Sequence, residues 1–190
     1  EAHYSLLCVK ENDLEDTVQK IRNKELDGIN VTLPYKQKII EFTDRLVNDA
    51  QFTNSVNTVF LNEDDILVGE NTDVFGLQAA YLKGILNTEK KKALVIGAGG
   101  VSPSVVFSLQ KSKIQNVSII NRTLEKSILL KKRFKFLNIL EWPSLEEKLN
   151  DYDIIINATS LGLKGEKDFE FDFKNVKDNL IYIDTIYNPI

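Results

Sequence analysis

The sequence predicts an α/β fold: a doubly wound parallel sheet with a smaller α/β domain in front of it. Three observations carry that prediction. From Lys92 onward, continuous apolar runs of strand length alternate with helical patterns, the rhythm of a parallel sheet covered on both faces. The first of those runs, Lys92 to Ile96, stops at Gly97-Ala98-Gly99-Gly100 and restarts as a helical pattern at Val101. Upstream of Asp73 the runs are shorter and include a hairpin, so a separate, smaller unit is expected there.

Taken in order, residues 4 to 9 read as a strand, and Asn12-Asp13 is a capping pair for a helix through Leu14, Val18 and Ile21. Asp27-Gly28 then turns into a β-branched run, Ile29 to Leu33, that ends at Pro34. Strand, helix, strand predicts a parallel pair. Residues 36 to 49, with Ile39, Ile40, Leu46 and Val47 among charges, read as a helix. Residues 55 to 61 and 66 to 71 read as a hairpin around an acidic turn, Asn62 to Asp65. A helix from about Val74 to Leu86 and a polar stretch, Asn87 to Lys91, connect to the second part. The predicted domains are therefore 1–73 and 74–190, the connecting helix belonging to the second. That second domain reads as strand 92 to 96, helix 101 to 111, strand 117 to 120 and helix 124 to 134, then a weak strand, 138 to 140. A helix at 145 to 149 and strands 153 to 157 and 180 to 184 follow.

Composition narrows the class. At 43% hydrophobic and 27% charged residues the chain matches a globular protein, not a disordered or fibrous one. It has no apolar run of membrane-span length and no signal-peptide pattern at its start, so a cytoplasmic location and no membrane partner are expected. The net charge of −4 disfavours a nucleic-acid partner, which needs a basic face. The one cysteine, Cys8, and the one histidine, His3, have no metal-ligand spacing around them, so no metal site is expected.

The glycines say what the second domain is for. Gly97 permits the tight turn out of the strand, and Gly99 lets backbone approach a pyrophosphate with no Cβ in the way. The helix that follows aims its N–H groups at the anion. An ordinary loop would read the same in isolation. At the end of the next strand, Ile119-Ile120-Asn121-Arg122-Thr123, an NAD site usually carries Asp or Glu for the ribose 2′-hydroxyl. Here Arg122 stands instead, and a guanidinium attracts the 2′-phosphate of NADP; a solvated arginine opening a helix is the alternative. The sheet is thus expected to be a Rossmann-type, NADP-binding one. Asn157 to Gly162 is a small, polar segment at the carboxyl end of a third strand. In the first domain Asn30 to Lys36, Asn54 to Thr58 and Asn71 to Asp73 are polar clusters at strand ends, able to hold a polyhydroxylated small molecule or to serve as turns and caps.

This ordered set resembles the shikimate dehydrogenase family: Asn30 to Lys36, Val56 to Thr58, Gly69 to Asp73 with Gly76, Gly97 to Gly100, Asn121 to Thr123, Asn157 to Gly162, and Asp184 to Pro189. The resemblance implies NADP-dependent interconversion of 3-dehydroshikimate and shikimate in aromatic amino-acid synthesis. It implies Lys36 and Asp73 as the catalytic pair. Thr32, Asn57, Asp73 and Tyr187 would bind the substrate; Gly97, Ala98, Gly99, Gly100, Val101, Asn121, Arg122, Thr123 and Thr159 would bind the cofactor. It leaves monomer and homodimer both open. Quinate/shikimate dehydrogenases, a non-catalytic sensor of a shikimate-type metabolite and methylene-tetrahydrofolate dehydrogenases are the alternatives; Asn71-Thr72-Asp73 speaks against the last.

The chain departs from the family pattern in three places. Tyr35 stands where histidine is frequent. A serine-bearing segment ahead of residue 4, for the substrate carboxylate, and a segment returning after Pro189 with a glutamine are both missing, so the 190 residues are expected to be a cut through a longer protein.

Overall fold

A computed structural model describes residues 3–164, 172 and 176–186. The chain divides into two compact units, Glu1–Thr72 and Asp73–Ile190.

The first unit is a four-stranded mixed sheet backed by one helix. Its strands are β1 (Gly28–Asn30), β2 (Arg45–Leu46), β3 (Thr58–Leu61) and β4 (Leu67–Glu70), in the order β1-β3-β4-β2. β3 and β4 form the expected hairpin, Thr58 opposite Glu70 and Leu61 opposite Leu67. Asn62 closes its turn, its side-chain oxygen accepting from the N–H groups of Asp64 and Ile66. Helix α1 (Leu14–Arg22) buries Leu14, Thr17, Val18 and Ile21, a spacing of three and four that sets one face onto the sheet core of Ile39, Val56, Val59 and Leu67.

Three expectations fail here, each for a physical reason. Residues 4 to 9 are not a strand: no ladder partner lies beside them among the described residues, and Leu6 is 98% exposed. The predicted parallel pair goes with it, because β1 pairs antiparallel with β3. Residues 36 to 49 are not one helix but a 3₁₀ turn, Lys38–Phe42, followed by β2, which runs parallel to β4, and by a short helix, α2 (Asp49–Thr53). Asp44 forces the break. Its carboxylate takes two bonds from Arg22, at 2.8 and 2.9 Å, and one from Leu67 N–H, at 2.8 Å, which pulls the chain into the sheet.

The second unit is a five-stranded, all-parallel sheet in the order β7-β6-β5-β8-β9. The strands are β5 (Lys92–Ile96), β6 (Asn116–Ile120), β7 (Asn138–Leu140), β8 (Ile154–Asn157) and β9 (Ile181–Asp184). Alternate residues serve opposite faces. Ala93, Val95, Val117, Ile119, Ile154 and Ile156 pack with α4 (Ser102–Lys111) and α5 (Leu124–Arg133) on one side. Leu94, Ile96, Ile120 and Ile155 pack with Leu145 of α6 (Leu145–Lys148), Leu149 and Tyr152 on the other. The doubly wound arrangement follows. The helix expected over 74 to 86 is shorter: α3 (Asp73–Leu77) widens into a π turn, Gln78–Leu82.

Candidate active site

In the first unit the polar clusters meet at one end of the sheet. The Thr32 to Lys36 turn leaves β1, and both its ends are tied to the chain entering β3: Val31 N–H donates to Asn57 O at 2.8 Å, and Val56 N–H donates to Lys36 O at 2.8 Å. Thr32 is exposed and Lys36 half-buried, so both side chains reach solvent from an anchored backbone. Asn57 leads into β3 opposite the end of β4, where its side-chain oxygen accepts from Thr72 N–H at 3.0 Å and its amide donates to Thr72 Oγ1 at 2.9 Å. Asn71 is buried beneath this end, donating to Ser55 O at 2.7 Å and to Thr53 Oγ1. The structure thus brings the backbone segments that carry Thr32, Lys36 and Asn57 together. Thr72, in the polar cluster after β4, steadies Asn57; its neighbour Asp73 begins α3 of the second unit.

In the second unit the predicted residues lie at the carboxyl ends of β5, β6 and β8, the three central strands. The order runs to β6 and β7 on one side of β5 and to β8 and β9 on the other, so the turn after β5 sits at the topological switch point, where open α/β sheets bind ligands. Gly97 has φ +105°, and a Cβ on it would come within 2.8 Å of Ala158 O and of Thr159 Cγ2. Only glycine fits there. A Cβ on Gly99 would meet nothing nearer than Ala158 O at 3.9 Å, so its outer side is open to a ligand.

Side chains stiffen this turn. Ala98 N–H donates to Asn121 Oδ1 at 3.1 Å, and Asn121 Nδ2 donates to Thr123 O at 2.8 Å, so Asn121 locks the turn to the segment that carries Arg122. The Arg122 side chain is exposed, with no hydrogen bond or ion pair among the described residues. Thr159 lies against the turn through its methyl, and its hydroxyl donates to Asn157 Oδ1 at 2.7 Å. Asn157, fully buried, also donates to Asp184 Oδ1 at 3.1 Å and joins the loops after β8 and β9. Asp184 in turn accepts from Ile186 N–H and Tyr182 Oη. Burial, and next the Asp184 charge, push the Tyr182 phenol well above its ordinary range, so it stays a donor. Val101 and Gly100 complete the turn before α4. Tyr187 lies outside the described residues.

These features fit a dinucleotide: a glycine turn at the switch point, an open face at Gly99 and a cation in place of a carboxylate beyond β6. The comparisons with known proteins decide between families of that fold. Residues 1–59 match the model of the shikimate dehydrogenase substrate binding domain, and residues 80–184 match that of shikimate / quinate 5-dehydrogenase. The chain belongs to the shikimate dehydrogenase family. It is 37% identical to the shikimate dehydrogenase (NADP(+)) of Pelagibacter ubique over 99% of this chain and 69% of that protein. Among solved structures it resembles the shikimate dehydrogenase of Aquifex aeolicus with a TM-score of 0.83 and 33% identity, covering 94% of this chain and 65% of that one. The Thermus thermophilus shikimate 5-dehydrogenase, solved in complex with NADP(H) and shikimate, has a TM-score of 0.80 and 29% identity, covering 95% of this chain and 66% of that one. The chain therefore spans about two thirds of the length of its shikimate dehydrogenase relatives.

Proposed function

We propose that this protein catalyses the reversible, NADP-dependent reduction of 3-dehydroshikimate to shikimate. The observation that supports it most is the anchored cluster of Thr32, Lys36 and Asn57 in a member of this family whose second unit carries Arg122 beyond its glycine turn. NADPH, when bound, supplies the hydride. The remaining work falls to the protein's own side chains. Reduction of a carbonyl builds charge on oxygen, and the Lys36 ammonium stabilises that alkoxide and gives it a proton. Asp73 is the second member of the catalytic pair on this reading and accepts a hydrogen bond from a substrate hydroxyl, while Thr32, Asn57 and Tyr187 bind the substrate.

The backbone of Gly97, Ala98, Gly99, Gly100 and Val101 cradles the pyrophosphate beside Thr159. Arg122, set by Asn121 and Thr123, pairs with the 2′-phosphate. On this reading residues 1–73 are the substrate-binding domain and 74–190 the cofactor domain, and the reaction runs in the cytoplasm.

The test is the absorbance of reduced nicotinamide on mixing shikimate, NADP and the full-length protein. Growth of that band is expected, and its absence overturns the reading. The model matched by residues 80–184 also covers quinate enzymes, which makes a dual quinate/shikimate activity the second reading. Comparison of kcat/KM for the two acids, each with NADP and NAD, separates them.

A further inference from the structure

Ser102 is the first residue of α4 and is fully buried. Its hydroxyl donates to Gly97 O at 2.9 Å and accepts from Gly99 N–H at 2.9 Å, and its own N–H reaches Gly99 O at 3.2 Å. One side chain therefore ties the first glycine of the turn to the second, while Gly97 N–H is fixed to Ile120 O at 2.8 Å. The site asks for a group that donates and accepts at once, out of water. A hydroxyl does both; a methyl does neither and leaves a carbonyl and an amide without partners.

The geometry points to Ser102 as a positioning residue for the cofactor: it holds the glycine turn in its ligand-ready shape before any dinucleotide arrives. A turn that reads phosphate through its backbone gains affinity when its shape is already set, since a loosely ordered turn is competent only part of the time and apparent affinity falls by that fraction. Ser102 is fully buried with its hydroxyl engaged by Gly97 and Gly99, so its loss acts on cofactor affinity and not on the chemical step. The inference rests on the NADP reading above.

The full-length protein tests it through Ser102→Ala. The dissociation constant and KM for NADP are expected to rise about tenfold, while kcat at saturating NADP and KM for shikimate stay within twofold and Ser102→Thr recovers much of the affinity. A general structural role would lower thermal stability without that split. Amide hydrogen exchange in the unsubstituted, cofactor-free protein gives a second measurement that needs no variant to fold. Slow exchange at Gly99 is expected there, and exchange as fast as at an exposed turn amide overturns the inference. NADP binding by Ser102→Ala within twofold of the unsubstituted protein also overturns it. Failure of the unsubstituted protein to bind NADP at all removes the cofactor reading, and the inference with it.

Discussion

Strand ends in the two units are treated in opposite ways. In the second unit Ile96, Ile120 and Asn157 finish their strands with no exposure at all, and what meets solvent beyond them is backbone turn. In the first unit the corresponding ends, Asn30, Thr58 and Glu70, are exposed or half-buried, and what they present is side chain. One candidate site is thus lined mainly by backbone whose course the fold imposes; the other is lined by side chains on a small sheet. Backbone sites fail when a turn cannot take its shape, and side-chain sites fail when one atom is removed.

That contrast can be broken most directly at Lys36. Lys36→Ala is expected to lower kcat by about 10²- to 10⁴-fold with KM for shikimate nearly unchanged, as steady-state kinetics would report. Comparable turnover would mean that the side-chain half of the contrast is mistaken.

Two glycines sharpen the backbone half. Gly97→Ala, strained by its φ of +105° and by atoms 2.8 Å away, is expected to cost about 3 kcal/mol in urea unfolding. Gly99→Ala has room and should leave stability almost intact while weakening NADP binding, readable by fluorescence titration. Equal stability losses at the two positions would erase the distinction between a turn glycine and an approach glycine.

Arg122 is the exception, a side chain in a backbone site. Arg122→Ala should reduce kcat/KM with NADP about ten- to a hundredfold, the scale of a charge-assisted pair, and leave the value with NAD within twofold. A parallel loss with both cofactors would place the arginine elsewhere than at the 2′-phosphate.

The smallest effect lies in acid stability, at Asp44 in the first unit and Asp153 in the second. The Arg22 guanidinium, with Leu67 N–H, holds the Asp44 carboxyl below its ordinary value. Burial pushes Asp153 up, but the bonds from Lys177 Nζ and Lys92 N–H outweigh it and hold it below as well. A depressed carboxyl stabilises the fold above the unfolded value of about 3.9, and that gain disappears as pH falls through the lower folded value. Asp153→Asn should therefore be less stable than the unsubstituted protein at pH 7, with a deficit that shrinks toward zero near pH 2 in urea melts. Asp44→Asn should behave alike but more weakly, because Asp44 is 42% exposed and its pair with Arg22 is screened by water. A deficit that stays constant with pH would rule out the ionic origin.

The same contrast explains what could be read from the chain alone. Continuous runs such as Leu94 to Ile96 and Ile154 to Ile156 are buried on both faces and cannot be other than central strands, so the second sheet was legible almost to the residue. The first was not. The apolar run at 4 to 9 has strand composition, but a ladder needs a neighbour and composition does not supply one. The residues at 36 to 49 have helical spacing, yet the Asp44 carboxylate and the pairing of Arg45 with Val68 outweigh it. Among the site residues Lys36, Asn57 and Arg122 stood out by type and place. Ser102 did not, because a serine after a glycine turn reads as an ordinary helix start until its burial is seen. Asn157 and Asp184 were visible as polar ends of apolar strands, but their bond to each other depends on β8 and β9 being neighbours in register.

One consequence of an all-parallel sheet concerns handling the protein rather than its chemistry. Every strand of the second unit delivers its last residue to the rim that carries the glycine turn, so the first residues, among them Lys92, Asn116 and Asn138, gather at the far rim and are exposed. A fluorophore or surface tether at Asn116 or Asn138 would follow unfolding of this unit from the side remote from the glycine turn, leaving the opposite rim unmarked.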